Sequence, residues 1–99
     1  MSYAVRYTKA AKDDIVRLYD FLLEQDLAAA RKALKAIEKG IGFLQDFPFT
    51  CRKPTPENPL LREMIISFGT RGYVVLFEIE NKKTITILAV RHQREEDYH

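Results

Sequence analysis

From Leu60 onward the chain consists of three runs that read as β-strands, each joined to the next by a few residues. Arg62, Met64, Ile66 and Phe68 share one face of the first run, and Leu61, Glu63, Ile65 and Ser67 share the other. In the second, Tyr73, Val75, Phe77 and Ile79 oppose Val74, Leu76, Glu78 and Glu80. The third, Thr84 to Val90, is almost entirely β-branched or aliphatic, which predicts a strand inside a sheet. Gly69-Thr70-Arg71-Gly72 is expected as the first turn, with both glycines able to take positive φ, and Asn81-Lys82-Lys83 as the second. Strands joined so tightly pair antiparallel, so a three-stranded meander is the frame on which the rest must pack.

The upstream half supplies the cover. Tyr3, Val5 and Tyr7 alternate with Ala4 and Arg6, the pattern of a short half-buried strand. Thr8 offers an N-cap, and a helix is predicted from about Lys9 to Gln25 with Ala11, Ile15, Leu18 and Leu22 on its apolar face. Asp14, Arg17, Asp20 and Glu24 are placed mostly off that face. Asp26 caps a second helix whose stripe is Ala30, Leu34, Ile37, Ile41 and Leu44, and Pro48 ends it. Gly40 and Gly42 mark a bend or a close approach of a strand. With almost no linker between them, the helices form an antiparallel hairpin that must lay its stripe on the sheet. The four prolines from Pro48 to Pro59 predict a surface loop, pinned at its start by Phe47 and Phe49. The fold class is therefore α+β, in the order β-α-α-β-β-β, with a helical hairpin on a small, mainly antiparallel sheet. The 99 residues form a single domain, residues 1–99, with a mobile tail from 93 to 99.

Composition narrows the function. A hydrophobic fraction of 46% is that of a globular protein, and a formal charge of +2 does not forecast broad phosphate neutralisation. Cys51 is the sole cysteine, which excludes an internal disulfide and fits a reducing compartment. Arg52 and Lys53 stand beside it, but a catalytic thiol requires a partnered base, and none is near in sequence. No run approaches membrane-spanning length, so a cytoplasmic protein is expected.

The third strand passes abruptly into Arg91-His92-Gln93-Arg94. His92 has the chemistry of a general acid or base, or of a strand-end structural ring. Arg62 and Arg91 are either site residues or rim arginines whose apolar stems cover the sheet edge. An antiparallel meander places Arg62 and His92 at opposite ends unless strand lengths offset this. Glu95, Glu96, Asp97 and His99 have metal-ligand chemistry, yet they read as a solvated tail rather than a metal site. Tyr98 is the apolar body of that tail and a candidate to dock on the domain or a partner. No phosphate-binding loop or Ser-His-Asp pattern occurs, and no cofactor is expected.

Leu61-Arg62-Glu63, Gly72 to Ile79 and above all Ile85-Thr86-Ile87-Leu88-Ala89-Val90-Arg91-His92-Gln93-Arg94 resemble the ParE branch of the RelE/ParE toxin superfamily. Thr8, Asp14 and Ile15 fit the start of its helical hairpin. The resemblance covers essentially the whole chain. It implies the toxin half of a type II toxin–antitoxin pair that inhibits DNA gyrase and blocks replication without enzymatic activity of its own. A ParD-like antitoxin would neutralise it, and no specific nucleic-acid binding is implied. Arg62, Arg91, His92, Arg94 and Tyr98 are then the expected contacts with target or antitoxin. The alternative is the RelE branch, which cleaves mRNA on the ribosome; its catalytic set here would be His92, Arg91, Arg62 and Tyr98. In that branch the strand after the turn typically carries an arginine at the position of Val74, which stabilises charge on the scissile phosphate. Val74 cannot supply that term. Many gyrase-branch relatives also have arginine there, so Val74 speaks against a nuclease more than for gyrase.

Overall fold

A computed structural model describes residues 2–69 and 71–94. The elements follow in the order β1 (Ala4–Tyr7), α1 (Lys9–Leu23), α2 (Leu27–Leu44), a 3-10 turn (Pro48–Thr50), β2 (Leu61–Phe68), β3 (Arg71–Ile79) and β4 (Thr84–His92). Both predicted caps are in place. The Thr8 hydroxyl accepts from Ala11 N at 3.1 Å, and Asp26 Oδ1 accepts from Ala28 N at 2.9 Å. The first helix ends at Leu23 rather than near Gln25, because Gln25 and Asp26 N–H groups both turn back to the Leu22 carbonyl.

The sheet has the order β1-β4-β3-β2. β2, β3 and β4 form the expected antiparallel meander, while β1 pairs with β4 in parallel, Ala4 with Thr84 through Tyr7 with Ile87. The β2–β3 connection is tighter than expected. Phe68 pairs with Arg71 and Ser67 with Gly72, so Arg71 and Gly72 belong to β3 and not to the turn. Gly69 takes φ 62°, where a side chain is strained. Gly72 does not have positive φ; a Cβ there would collide with the Ile66 carbonyl.

The hairpin covers one face of the sheet. Ala11, Leu18, Ile37, Ile41 and Leu44 meet Met64, Ile66, Val75, Phe77, Ile85 and Ile87, with Phe77 fully buried at the centre. Gly40 lets α2 come down on β2. A Cβ at Gly40 would lie 2.7 Å from Ile66 Cδ1 and 3.1 Å from Met64 Cε, so the close approach is to side chains of the strand. Gly42 faces open space. The loop after α2 is anchored differently from expectation. Pro48 is buried, whereas Phe47 and Phe49 remain 53% and 54% exposed. Phe47 stacks instead on Phe43 at 5.2 Å.

One assignment on α1 is corrected outright. Asp14 lies on the buried face and is 6% exposed. Its Oδ2 accepts a hydrogen bond from Val90 N at 2.9 Å. A bulge makes this possible: Leu76 pairs with Ala89 and Phe77 with Ile87, leaving Leu88 as the extra residue of β4. Among the described residues no helix is long and apolar enough to cross a membrane.

Candidate functional site

The C-terminal end of β4 gathers most of the basic candidates. Arg91 pairs with Val74 and His92 with Tyr73 across the β3–β4 ladder. Arg91 and His92 are half-buried and Arg94 is exposed. The His92 ring meets Tyr73 edge-on, 5.7 Å between centroids, and Tyr73 in turn packs on Phe68 at 5.9 Å. His92 Nδ1 accepts from Arg94 N at 3.1 Å, which in the neutral ring leaves the proton on Nε2. Gln93 N donates to the Gly72 carbonyl at 2.9 Å, so the chain stays attached to β3 as it leaves the sheet. Arg91 Nη1 lies 3.3 Å from the His92 carbonyl. Burial pushes the Tyr73 phenol above its ordinary pKa, so at neutral pH it is a neutral aromatic wall. Tyr98 and the acidic residues 95–97 lie outside the described residues.

Arg62 is elsewhere and otherwise engaged. It pairs with Phe77, whereas Ile66 pairs with Tyr73, the neighbour of His92. Four strand positions, about 13 Å, thus separate its backbone from the His92 level. Its Nε donates to the Pro59 carbonyl at 2.7 Å, and its Nη1 to the carbonyls of Phe49 and Cys51, both at 2.9 Å. The guanidinium also lies over the Phe49 ring, 5.3 Å from its centroid. The residue holds the proline-rich loop against the start of β2. Beside it Arg52 Nε meets Glu63 Oε1 at 3.0 Å, and Glu63 N donates to the Arg52 carbonyl at 2.9 Å. Cys51 belongs to the same region. Burial raises its thiol pKa, against a smaller lowering from the Thr50 hydrogen bond and the Arg62 charge.

A second feature lies between α2 and the outer edge of β2. It is an open groove of about 550 Å³, lined by Ala36, Lys39, Gly40 and Phe43 and by residues 64–67 of the strand. Ile65 and Phe43 are about half exposed on its rim, at 49% and 48%. The bridge of Arg52 to Glu63 covers the strand edge up to this point, and Ile65 and Ser67 continue that edge along the groove. The sequence hinted at it only through Gly40, whose missing side chain lets the helix and strand meet below the groove floor.

The family model described as the ParE toxin of the type II toxin-antitoxin system, parDE, matches residues 5–97. The chain belongs to the ParE toxin family. A solved structure described as the chromosomal ParDE TA system from P. aeruginosa has the same fold, with a TM-score of 0.74 and 22% sequence identity over 92% of this chain and 96% of that one. No curated protein sequence matches significantly. The matched region takes in the helical hairpin, the basic end of β4 and all of the sheet except Ala4 at the start of β1. Val74 is 2% exposed, between Ile65 of β2 and Arg91 of β4 in the ladder. Among the described residues, Arg91, His92 and Arg94 come together, and Arg62 does not join them. No cluster of three or more potential metal ligands occurs among those residues.

Proposed function

We propose that this chain is a toxin that binds DNA gyrase and stops its supercoiling cycle, without making or breaking a bond itself. Membership of the ParE family supports gyrase as the target, and the absence of catalysis rests on two further observations, a buried Val74 and an Arg62 whose Nε and Nη1 donate to loop carbonyls. Phosphoryl-transfer chemistry relies on cations converging on the developing charge. Of the positions that the resemblance implies for a nuclease, the one at Val74 holds an alkyl group and the one at Arg62 a structural clamp. What remains is a cationic strand end, Arg91-His92-Arg94 backed by Tyr73, suited to contact with a macromolecule by shape and charge. Tyr98 follows closely in sequence and is assigned to the same contact.

A cognate ParD-like antitoxin silences the toxin in this reading, and all three proteins share the cytoplasm. The antitoxin's seat in this reading is the groove between α2 and β2, where an apolar floor adjoins a strand edge and Lys39 supplies a cation to the lining. Family membership supports the pairing, as does the combination of an exposed Phe43 and Ile65 in a small protein.

A supercoiling assay with purified chain and gyrase tests the proposal. Inhibition near equimolar toxin is expected, and full gyrase activity at large toxin excess would overturn it. Cleavage of mRNA on stalled ribosomes that disappears in His92→Ala would move the chain to the nuclease branch.

A further inference from the structure

β4 has a strand on both sides along its first half only. From Thr84 to Ile87 it lies between β1 and β3. β1 then ends at Tyr7, the chain turns into α1 at Thr8, and the bulge at Leu88 follows. Beyond that point the vacated edge of β4 faces α1 instead of a strand.

Three polar contacts carry the junction. Thr8 N donates to the Ile87 carbonyl at 3.0 Å, continuing the ladder by one bond. The Thr8 hydroxyl lies 3.2 Å from the Leu88 carbonyl at the bulge and donates to it. Asp14 Oδ2 then accepts the Val90 amide at 2.9 Å. A carboxylate on a buried helix face is costly, and a leucine would fill the same place at lower cost. What leucine lacks is an acceptor for an edge amide whose partner strand has ended. Arg17 Nη2, 3.7 Å from Asp14 Oδ1, offsets part of the buried charge. Arg91 and His92 are the next residues along β4.

We infer that Asp14 is a positioning residue for the basic end of β4. Its carboxylate takes the place of the missing neighbour strand at Val90 and fixes the course of the last β4 residues, Arg91 and His92, along the sheet edge. The functional part of this inference rests on the gyrase reading; the structural part does not.

The experiment uses the full chain, isotope-labelled for NMR, as wild type, Asp14→Asn and Asp14→Ala, with Asp14→Leu where Asp14→Ala does not fold. In the wild type the Val90 amide is expected to be protected from exchange; rapid exchange there in the folded protein overturns the contact, whatever the variants do. Removing the acceptor should speed Val90 exchange by about tenfold or more. It should also shift the amide signals of Arg91 and His92 and weaken gyrase inhibition by about tenfold or more, with unfolding still cooperative. Asp14→Asn retains an acceptor oxygen and should stay within about threefold of wild type in both readouts. Unmoved Arg91 and His92 signals in the acceptor-free variant, or an Asp14→Asn protein as impaired as that variant, would overturn the inference. A wild type that leaves gyrase untouched defeats the gyrase reading, while the NMR comparison still decides the role of Asp14.

Discussion

The two ends of the sheet carry arginines that look alike in sequence and behave differently in the fold. At the start of β2, Arg62 directs its donors at three carbonyls of the proline-rich loop and lays its plane over Phe49. At the end of β4, the backbone is what is held: the Val90 amide by Asp14, Gln93 N by Gly72 and Arg94 N by the His92 ring. At the first end the cation itself ties a loop to the sheet. At the second the backbone is held by other groups, with Arg94 exposed and Arg91 and His92 half-buried beside it.

Substitutions can break this contrast. The largest effect is expected at the boundary between the two regions. Val74→Arg would bury a cation beside Arg91 and should destabilise the chain by about 3 kcal/mol or more, seen as a lower denaturant midpoint. A stable Val74→Arg protein would mean that the site of Val74 is more open than that residue's 2% exposure indicates.

The contrast itself is sharpened by paired alanine variants. Arg62→Ala leaves three carbonyls without their donor and should cost about 1–3 kcal/mol, with Arg62→Lys failing to restore it because a single ammonium cannot reproduce the fork. The double variant Arg91→Ala/Arg94→Ala should reverse the pattern: a stability change within about 1 kcal/mol, and a loss of gyrase inhibition larger than any seen for Arg62→Ala. Equal inhibition by the two proteins would erase the distinction drawn here.

The smallest effect concerns Cys51. Its folded pKa is raised, mainly by burial, so the folded state favours the neutral thiol. The associated stabilisation is complete below the ordinary thiol range and fades as pH climbs through it, because the unfolded chain releases the proton first. Alkylation of folded Cys51 near pH 8 should accordingly be slower than in the denatured chain, and equal rates would contradict the burial.

Much of the fold was legible from periodicity. The alternation in β2 and β3, the aliphatic run of β4 and the capping hydroxyl and carboxylate of Thr8 and Asp26 each express a local rule that the packing obeys. Asp14 was misplaced because a charge was assigned to solvent, although its spacing from Ala11 and Leu18 puts it on the buried stripe. The sign that could have found it was a polar residue at an apolar position. Phe47 and Phe49 misled in the opposite sense: aromatic rings were assigned to the core, and Pro48 between them is what is buried. The Arg62 clamp follows no period at all. Its partners are carbonyls of an irregular loop, and only the path of that loop brings them near. The gathering of Arg91, His92 and Arg94 was visible, since adjacency along the chain already delivers it.

The parallel pairing of β1 with β4 has a consequence for how the protein comes into being. Ala4 to Tyr7 are synthesised about eighty residues before their partners at Thr84 to Ile87. The sheet cannot close until β4 has been made, so fragments that stop short of β4 lack the finished architecture. Closure of the sheet is thereby tied to the emergence of the strand that β1 waits for.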